Sequence, residues 1–177
     1  MYNLPTLLKG LALSIYKFGF KFGFKFAILL LFSILFLGCF SHQPQRSNSV
    51  LFSFITPDFR ISDAGFIHHY ANESQIQIYS SGAVILNLKL AQNICINSVC
   101  YNRQIFNTKY LKSTHYDEIM DDIISKRPIY DSNTLKQTSC GFEQNIINKM
   151  IKYEVCDNVI KFIDNKNRVK IIIRELQ

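Results

Sequence analysis

Apolar residues recur at every second position through the middle of the chain. Val84, Leu86, Leu88 and Leu90 alternate with Ile85, Asn87 and Lys89, and Ile76 and Ile78 alternate with Gln75 and Gln77. A period of two is that of a strand with one buried face, so strands are predicted over 65–70, 75–79 and 83–90, separated by Ala71-Asn72-Glu73-Ser74 and Ser80-Ser81-Gly82. A short hairpin is expected around Asn97-Ser98, and the run from Tyr101 to Leu111 reads as a further strand. The period then changes. Tyr116, Ile119, Met120, Ile123 and Ile124 fall on one helical stripe, with Thr114 and Asp117 spaced as a capping pair and Lys126, Arg127 and Pro128 at the far end. After this helix the segment 146–156 fits either a helix or a strand, and 159–163 and 169–176 form a hairpin about Asp164-Asn165-Lys166-Asn167. Strands, one amphipathic helix and more strands, without regular alternation, predict an α+β domain: a curved antiparallel sheet, half-barrel-like, with one main helix packed on it.

The N-terminal segment obeys a different pattern. Lys9, Lys17, Lys21 and Lys25 precede an uncharged run from Phe26 to Leu37, which is shorter than the roughly 20 apolar residues a spanning helix needs. Basic residues, a short apolar stretch and a small residue, Gly38, make the pattern of an export signal over 1–38. Leu35-Phe36-Leu37-Gly38-Cys39 resembles a bacterial lipobox, which implies cleavage before Cys39 and acylation of its thiol. Residues 39–50 then read as a lipidated N-terminus and polar tether broken by Pro44, and 51–177 as a single domain. The four leader lysines account for four of the formal +7, leaving +3 on the rest. Phe40 stands where an aspartate holds many enteric lipoproteins at the inner membrane, so the outer membrane is favoured.

Export fits the remaining cysteines, Cys95, Cys100, Cys140 and Cys156, an even number in a compartment that permits oxidation. A two-residue turn at Asn97-Ser98 sets Ile96 against Val99 and Cys95 against Cys100, as a non-hydrogen-bonded pair whose side chains come close. Cys140 with Cys156 follows by elimination. Zinc spacing is not matched, and no metal or other cofactor is expected.

Phosphate-binding loops, a G-x-S-x-G elbow and H-E-x-x-H are absent from the sequence, which holds only seven glycines. No catalytic residue is assigned and no enzymatic activity is expected. Asp117, Glu118, Asp121 and Asp122 read as a solvated, dipole-favoured helix face. His68 and His69 are adjacent on a strand and point to opposite faces, and His115 has no nucleophile identifiable from spacing. After the leader, aromatic residues lack a stripe of interleaved basic ones, so nucleic acid is not expected as a partner.

The lipobox, the tether, the short strands from Phe66 through Tyr110, the amphipathic helix with its following proline and the closing strands together resemble the LolB-like group of outer-membrane lipoproteins. That resemblance implies a half-open sheet covered by helices, with acyl chains of lipids or other lipoproteins received in the apolar space between. The lining would be Ile76, Ile78, Val84, Leu86, Leu88, Ile119, Met120, Ile123 and Ile124. No tryptophan is present and no apolar loop tip stands out. The alternative is a non-catalytic structural or surface-interaction lipoprotein of the envelope. A carrier is expected to hold open apolar space beneath helix 116–125, and a scaffold a filled core.

Overall fold

The computed structural model describes residues 43–176, so the expected export signal over 1–38, Cys39 and the first part of the expected tether lie outside the described residues. Eleven strands form one antiparallel sheet that is neither closed nor strongly curled. They are β1 Arg46–Ile55, β2 Arg60–His69, β3 Ser74–Ser80, β4 Ala83–Leu90, β5 Ile94–Ile96, β6 Val99–Tyr101, β7 Leu135–Thr138, β8 Gly141–Ile146, β9 Ile151–Cys156, β10 Val159–Asp164 and β11 Val169–Glu175. The order across the sheet is β6-β5-β4-β3-β2-β1-β11-β10-β9-β8-β7. The chain meanders outward from the centre, crosses to the opposite edge, and meanders back until β11 closes on β1. The fold is thus mostly β, with far less helix than the expected α+β domain.

The crossover, residues 102–134, has to travel from one edge of the sheet to the other, roughly 48 Å at about 4.8 Å per strand. It does so as a strap of short pieces. α1, Arg103–Phe106, continues as a π-helical turn over Asn107–Leu111, and α2 spans only Ile119–Ile124. The expected strand over 101–111 is therefore corrected. Asn102 caps α1 by accepting the Ile105 N–H at 2.8 Å, and Phe106 and Leu111 enter the core at helical rather than alternate spacing. The expected helix over 116–125 is shortened. Glu118 stands at its N-cap without a side-chain bond, Thr114 does not cap it, and Lys126, with φ 57°, ends it in the left-handed region.

Inward residues line up in rows across the sheet. One row runs Gln144, Tyr153, Phe162, Ile171, Phe54 and Ile61, and the next Val155, Ile160, Ile173 and Phe52. Phe106, Leu111, Ile119, Met120, Ile123, Ile124 and Ile129 of the strap join them in one cluster. The opposite face carries Ser49, Ser53, Gln75, Asn87, Lys152, Lys161 and Lys170 by the same alternation. Folding starts earlier than expected from the polar tether, since Arg46–Val50 already pairs with β2. The ambiguous segment 146–156 is the end of β8, a 3-10 turn at Ile147–Lys149, and β9. β7 and the start of β8 had no sequence signal.

Both cysteine pairs form as expected. Cys95 and Cys100 face each other with Cα atoms 3.9 Å apart, about a turn whose Asn97 and Ser98 have φ of 46° and 76°. Cys140–Cys156 staples β8 to β9.

Candidate functional site

The interior between strap and sheet is the place where an acyl chain would go. Ile76, Ile78, Leu86 and Leu88 from the sheet and Ile119, Met120 and Ile123 from α2 are each at most 1% exposed, and Ile124 is 4% exposed. They touch the same cluster, so the structure brings these residues together in a filled core. Val84 is different. It lies past the irregularity between Ile78 and Tyr79, which shifts the β3–β4 register, and is 48% exposed. It lines nothing inside.

The strap is fastened by polar groups at several points. Arg103 reaches from α1 to the Asp121 carboxylate, to the Asp117 carbonyl and to the Ala91 carbonyl. Asp122 accepts the Tyr116 hydroxyl at 2.7 Å and the Arg127 Nε at 2.8 Å, and Asp117 accepts from Gln104. The four acidic residues are therefore not simply a solvated face; three of them hold the strap's pieces to one another. Partial burial together with the Asp122 bond raises the Tyr116 phenol well above its usual range.

Gln144 makes the most consequential of these fastenings. It is 2% exposed on β8, accepts the Ile129 N–H at 2.8 Å, and donates to the carbonyls of Ile129 at 2.9 Å and Asn133 at 2.8 Å. The residues between these anchors, Tyr130, Asp131 and Ser132, have φ of 49°, 53° and 61°. Three successive non-glycine residues in the left-handed region cost about 1–2 kcal/mol each, and persist only where the surroundings over-determine them. Gln144 supplies that determination.

At the same end of the sheet His115 is 3% exposed. Its Nδ1 bonds the Tyr130 hydroxyl, and its Nε2 lies 3.6 Å from the Asp164 carboxylate, too far for a hydrogen bond. With Tyr130 donating to Nδ1 the ring proton sits on Nε2 and faces the carboxylate, which is the electrostatically favoured tautomer. Burial lowers the His115 pKa; Asp164 pulls it up, Lys149 opposes, and burial wins, so the ring is neutral. Sequence spacing could not show this trio, because Tyr130 and Asp164 come from the strap and the end of β10. The order hydroxyl, imidazole, carboxylate resembles a nucleophile and its base. Burial, however, pushes the Tyr130 phenol up to about 12, which makes its oxyanion scarce at neutral pH. Asp164 is spent on the β10–β11 turn, accepting the Asn167 N–H at 2.9 Å and its side-chain amide at 2.7 Å. The trio reads as a buried plug at one end of the interior.

A neutral buried histidine ties stability to pH. The folded pKa lies below the unfolded value of about 6.5, so its contribution is complete above that value and is lost as pH falls toward the folded pKa, by at most about 1.4 kcal/mol per pH unit. Urea unfolding of the His115→Gln variant is expected to show a shallower loss of stability between neutral and acidic pH than the unaltered protein. An unchanged slope would remove His115 from that role.

His68 and His69 do point to opposite faces. His68 Nδ1 is 2.7 Å from Ser47 Oγ, and His69 Nδ1 is 3.1 Å from Ser74 Oγ. Among the described residues the one group with metal-ligand spacing is Cys140, Cys156 and Asp157, and its two sulfurs are bonded to each other. An apolar loop tip is present where none stood out in the sequence: Ile147 and Met150, at the β8–β9 turn, are 80% and 59% exposed. Among the described residues no helix is long and apolar enough to cross a membrane. Neither known protein families nor curated proteins give a match to the chain.

Proposed function

We propose that the chain is an exported envelope lipoprotein, anchored through an acylated Cys39, outer membrane rather than inner, whose domain is a non-enzymatic binding module of LolB type for acyl chains or acylated proteins. The observation that carries this reading is the strap: among the described residues, one crossover of short helical pieces is what covers the apolar face of an eleven-stranded sheet. Short helices have little stability of their own and depend on docking. The two disulfides suit a protein outside the cytoplasm.

Because the core is filled, a ligand has to displace α2 rather than enter a ready space. Undocking Ile119, Met120, Ile123 and Ile124 costs about 6–12 kcal/mol at roughly 1.5–3 kcal/mol per side chain. A sixteen-carbon chain gains about 12 kcal/mol at about 0.8 kcal/mol per methylene, and an eight-carbon chain only about half of that. Binding is therefore expected to have a length threshold. Displacement of a fluorescent fatty acid by a series of acyl chains should show little binding at eight carbons and clear binding at sixteen.

The second reading is a structural or surface-interaction lipoprotein, and the filled interior favours it. On that reading no acyl chain of any length binds, and the titration decides between the two.

A further inference from the structure

The apolar rows of the covered face end in charge on one side of the sheet. Along β1 the inward positions Phe54, Phe52 and Val50 give way to Asn48 and Arg46; along β2 Ile67 is followed by His69; along β11 Ile171 and Ile173 are followed by Glu175. Register places these endings together, since Arg46 opposes His69 and Val50 opposes both Gly65 and Glu175. The C-terminal end of α2 comes down on the same edge. The result is a cleft of about 220 Å³ lined by Arg46, His69, Ile124, Ser125, Lys126 and Glu175. Ile124 is 4% exposed and belongs to the core, so the cleft is the charged rim of the interior, at the end opposite His115 and Asp164.

The charges in this rim are only partly matched. Lys126 Nζ donates to Glu175 at 2.8 Å and to the Asp157 carbonyl at 3.2 Å, and Asn48 donates to the other Glu175 oxygen at 2.8 Å. Against the effect of partial burial, the Lys126 and Asn48 bonds hold the Glu175 carboxyl below its usual range. Arg46 spends its Nε on Asn48 at 2.8 Å, while its Nη2 stands 4.0 Å from Glu175, beyond hydrogen-bond reach. Among the described residues the Nη donors of this guanidinium make no hydrogen bond. Two cations share one carboxylate, and one of them keeps its forked donors, which suit a tetrahedral oxyanion, turned to solvent.

We propose that this rim is a binding site for a phosphate oxyanion, held by Arg46 and Lys126, with the phosphate of an anionic phospholipid headgroup as its source at the membrane. Arg46 stands seven positions after Cys39, so a fully extended chain reaches at most about 25 Å. An acylated Cys39 keeps the rim within that distance of a headgroup layer. A phosphate held at the rim leaves its acyl chains beside Ile124, the point at which the interior begins. The anion site stands on these side chains alone; only its lipid source rests on the reading of an anchored, acyl-binding lipoprotein.

The test uses the full chain in phosphatidylcholine nanodiscs, with backbone amide shifts read at Arg46, His69, Ser125 and Lys126. In one arm sodium phosphate replaces sodium chloride at matched ionic strength; in the other, phosphatidylglycerol replaces part of the phosphatidylcholine. Shifts centred on these four residues in either arm support the site, and the arm that saturates assigns its source as free phosphate or lipid headgroup. The Arg46→Gln/Lys126→Gln variant should weaken the response about tenfold or more. Unmoved rim amides in both arms, or an undiminished response in the double variant, overturn the proposal. The phosphate arm contains no acyl ligand, so its outcome is independent of the fatty-acid titration: rim shifts without acyl binding leave an anion site alone, and acyl binding without rim shifts leaves the carrier reading alone.

Discussion

Replacement of Gln144 by leucine is expected to destabilise the domain by roughly 3–6 kcal/mol. Leucine is similar to glutamine in volume, although it branches at Cγ rather than Cδ, so the main change is the loss of the hydrogen-bonding amide. Two buried backbone groups, the Ile129 N–H and carbonyl, and the part-buried Asn133 carbonyl lose their partners, at roughly 1–3 kcal/mol each for the buried ones and less for the third, with incomplete additivity. The left-handed run at Tyr130, Asp131 and Ser132 loses its anchors in the same step. Urea denaturation measures the loss, and a change below about 1 kcal/mol would show that the strap docks without this residue. The variant carries a functional consequence too. If strap docking is what excludes an acyl chain, a loosened strap binds palmitate more tightly than the unaltered protein does; a pure scaffold would gain nothing.

Gly65→Ala is expected to cost about 3 kcal/mol or more, for a different reason. Gly65 sits in β2 between Val50 and Ile78, and a Cβ there would stand 2.1 Å from the Gln77 carbonyl oxygen and 2.9 Å from the Ile78 Cα. Those are backbone atoms of the neighbouring strand and cannot swing aside, so β2 and β3 have to separate. A thermal melt should show a drop of about 10 °C or more for a loss of that size in a domain of this length. A variant that melts within a few degrees of the parent would mean that β2 and β3 approach less closely at this point.

What could be read in the sequence follows from the difference between local and distant causes. The alternation in β3 and β4, the Cys95–Cys100 turn and the last hairpin each depend on residues within a few positions of one another, and each appears where spacing placed it. Ile119, Met120, Ile123 and Ile124 lie on one buried face as their stripe implied, although the helix itself is a single short piece. The strand expected over Tyr101 to Leu111 rests on the strand propensity of aromatic and β-branched residues, while the deciding event is the Asn102 cap and the packing of Phe106 against Tyr110, with ring centroids 5.0 Å apart. The start of β1, Arg46–Ser49, and the edge strand β7 are hidden by their polar composition, since rim and edge positions need no apolar face. Pairing of β1 with β11 joins the two ends of the described chain, and nothing local announces it. The strap fastenings were invisible for the same reason. Asp121 reads as a solvated acid until Arg103, on another helix, is placed beside it.

The same distinction separates the two halves of the candidate site. The apolar interior could be named from periodicity, apart from Val84, because burial repeats with the strand and helix periods. Its closure could not be, because whether an interior is open or filled depends on how far the strap settles onto the sheet. The rim depends on where three strands end relative to one another, which is a matter of register.

Displacement of α2 by an acyl chain is the central claim, and hydrogen exchange of the full chain in nanodiscs, with and without a palmitoyl ligand, tests it most directly. The ligand is expected to hasten exchange at the amides of 119–125, while those of β1, β10 and β11 keep their protection. Unchanged protection of 119–125 under conditions where the ligand is bound, or a palmitoyl ligand that does not bind at all, would contradict it.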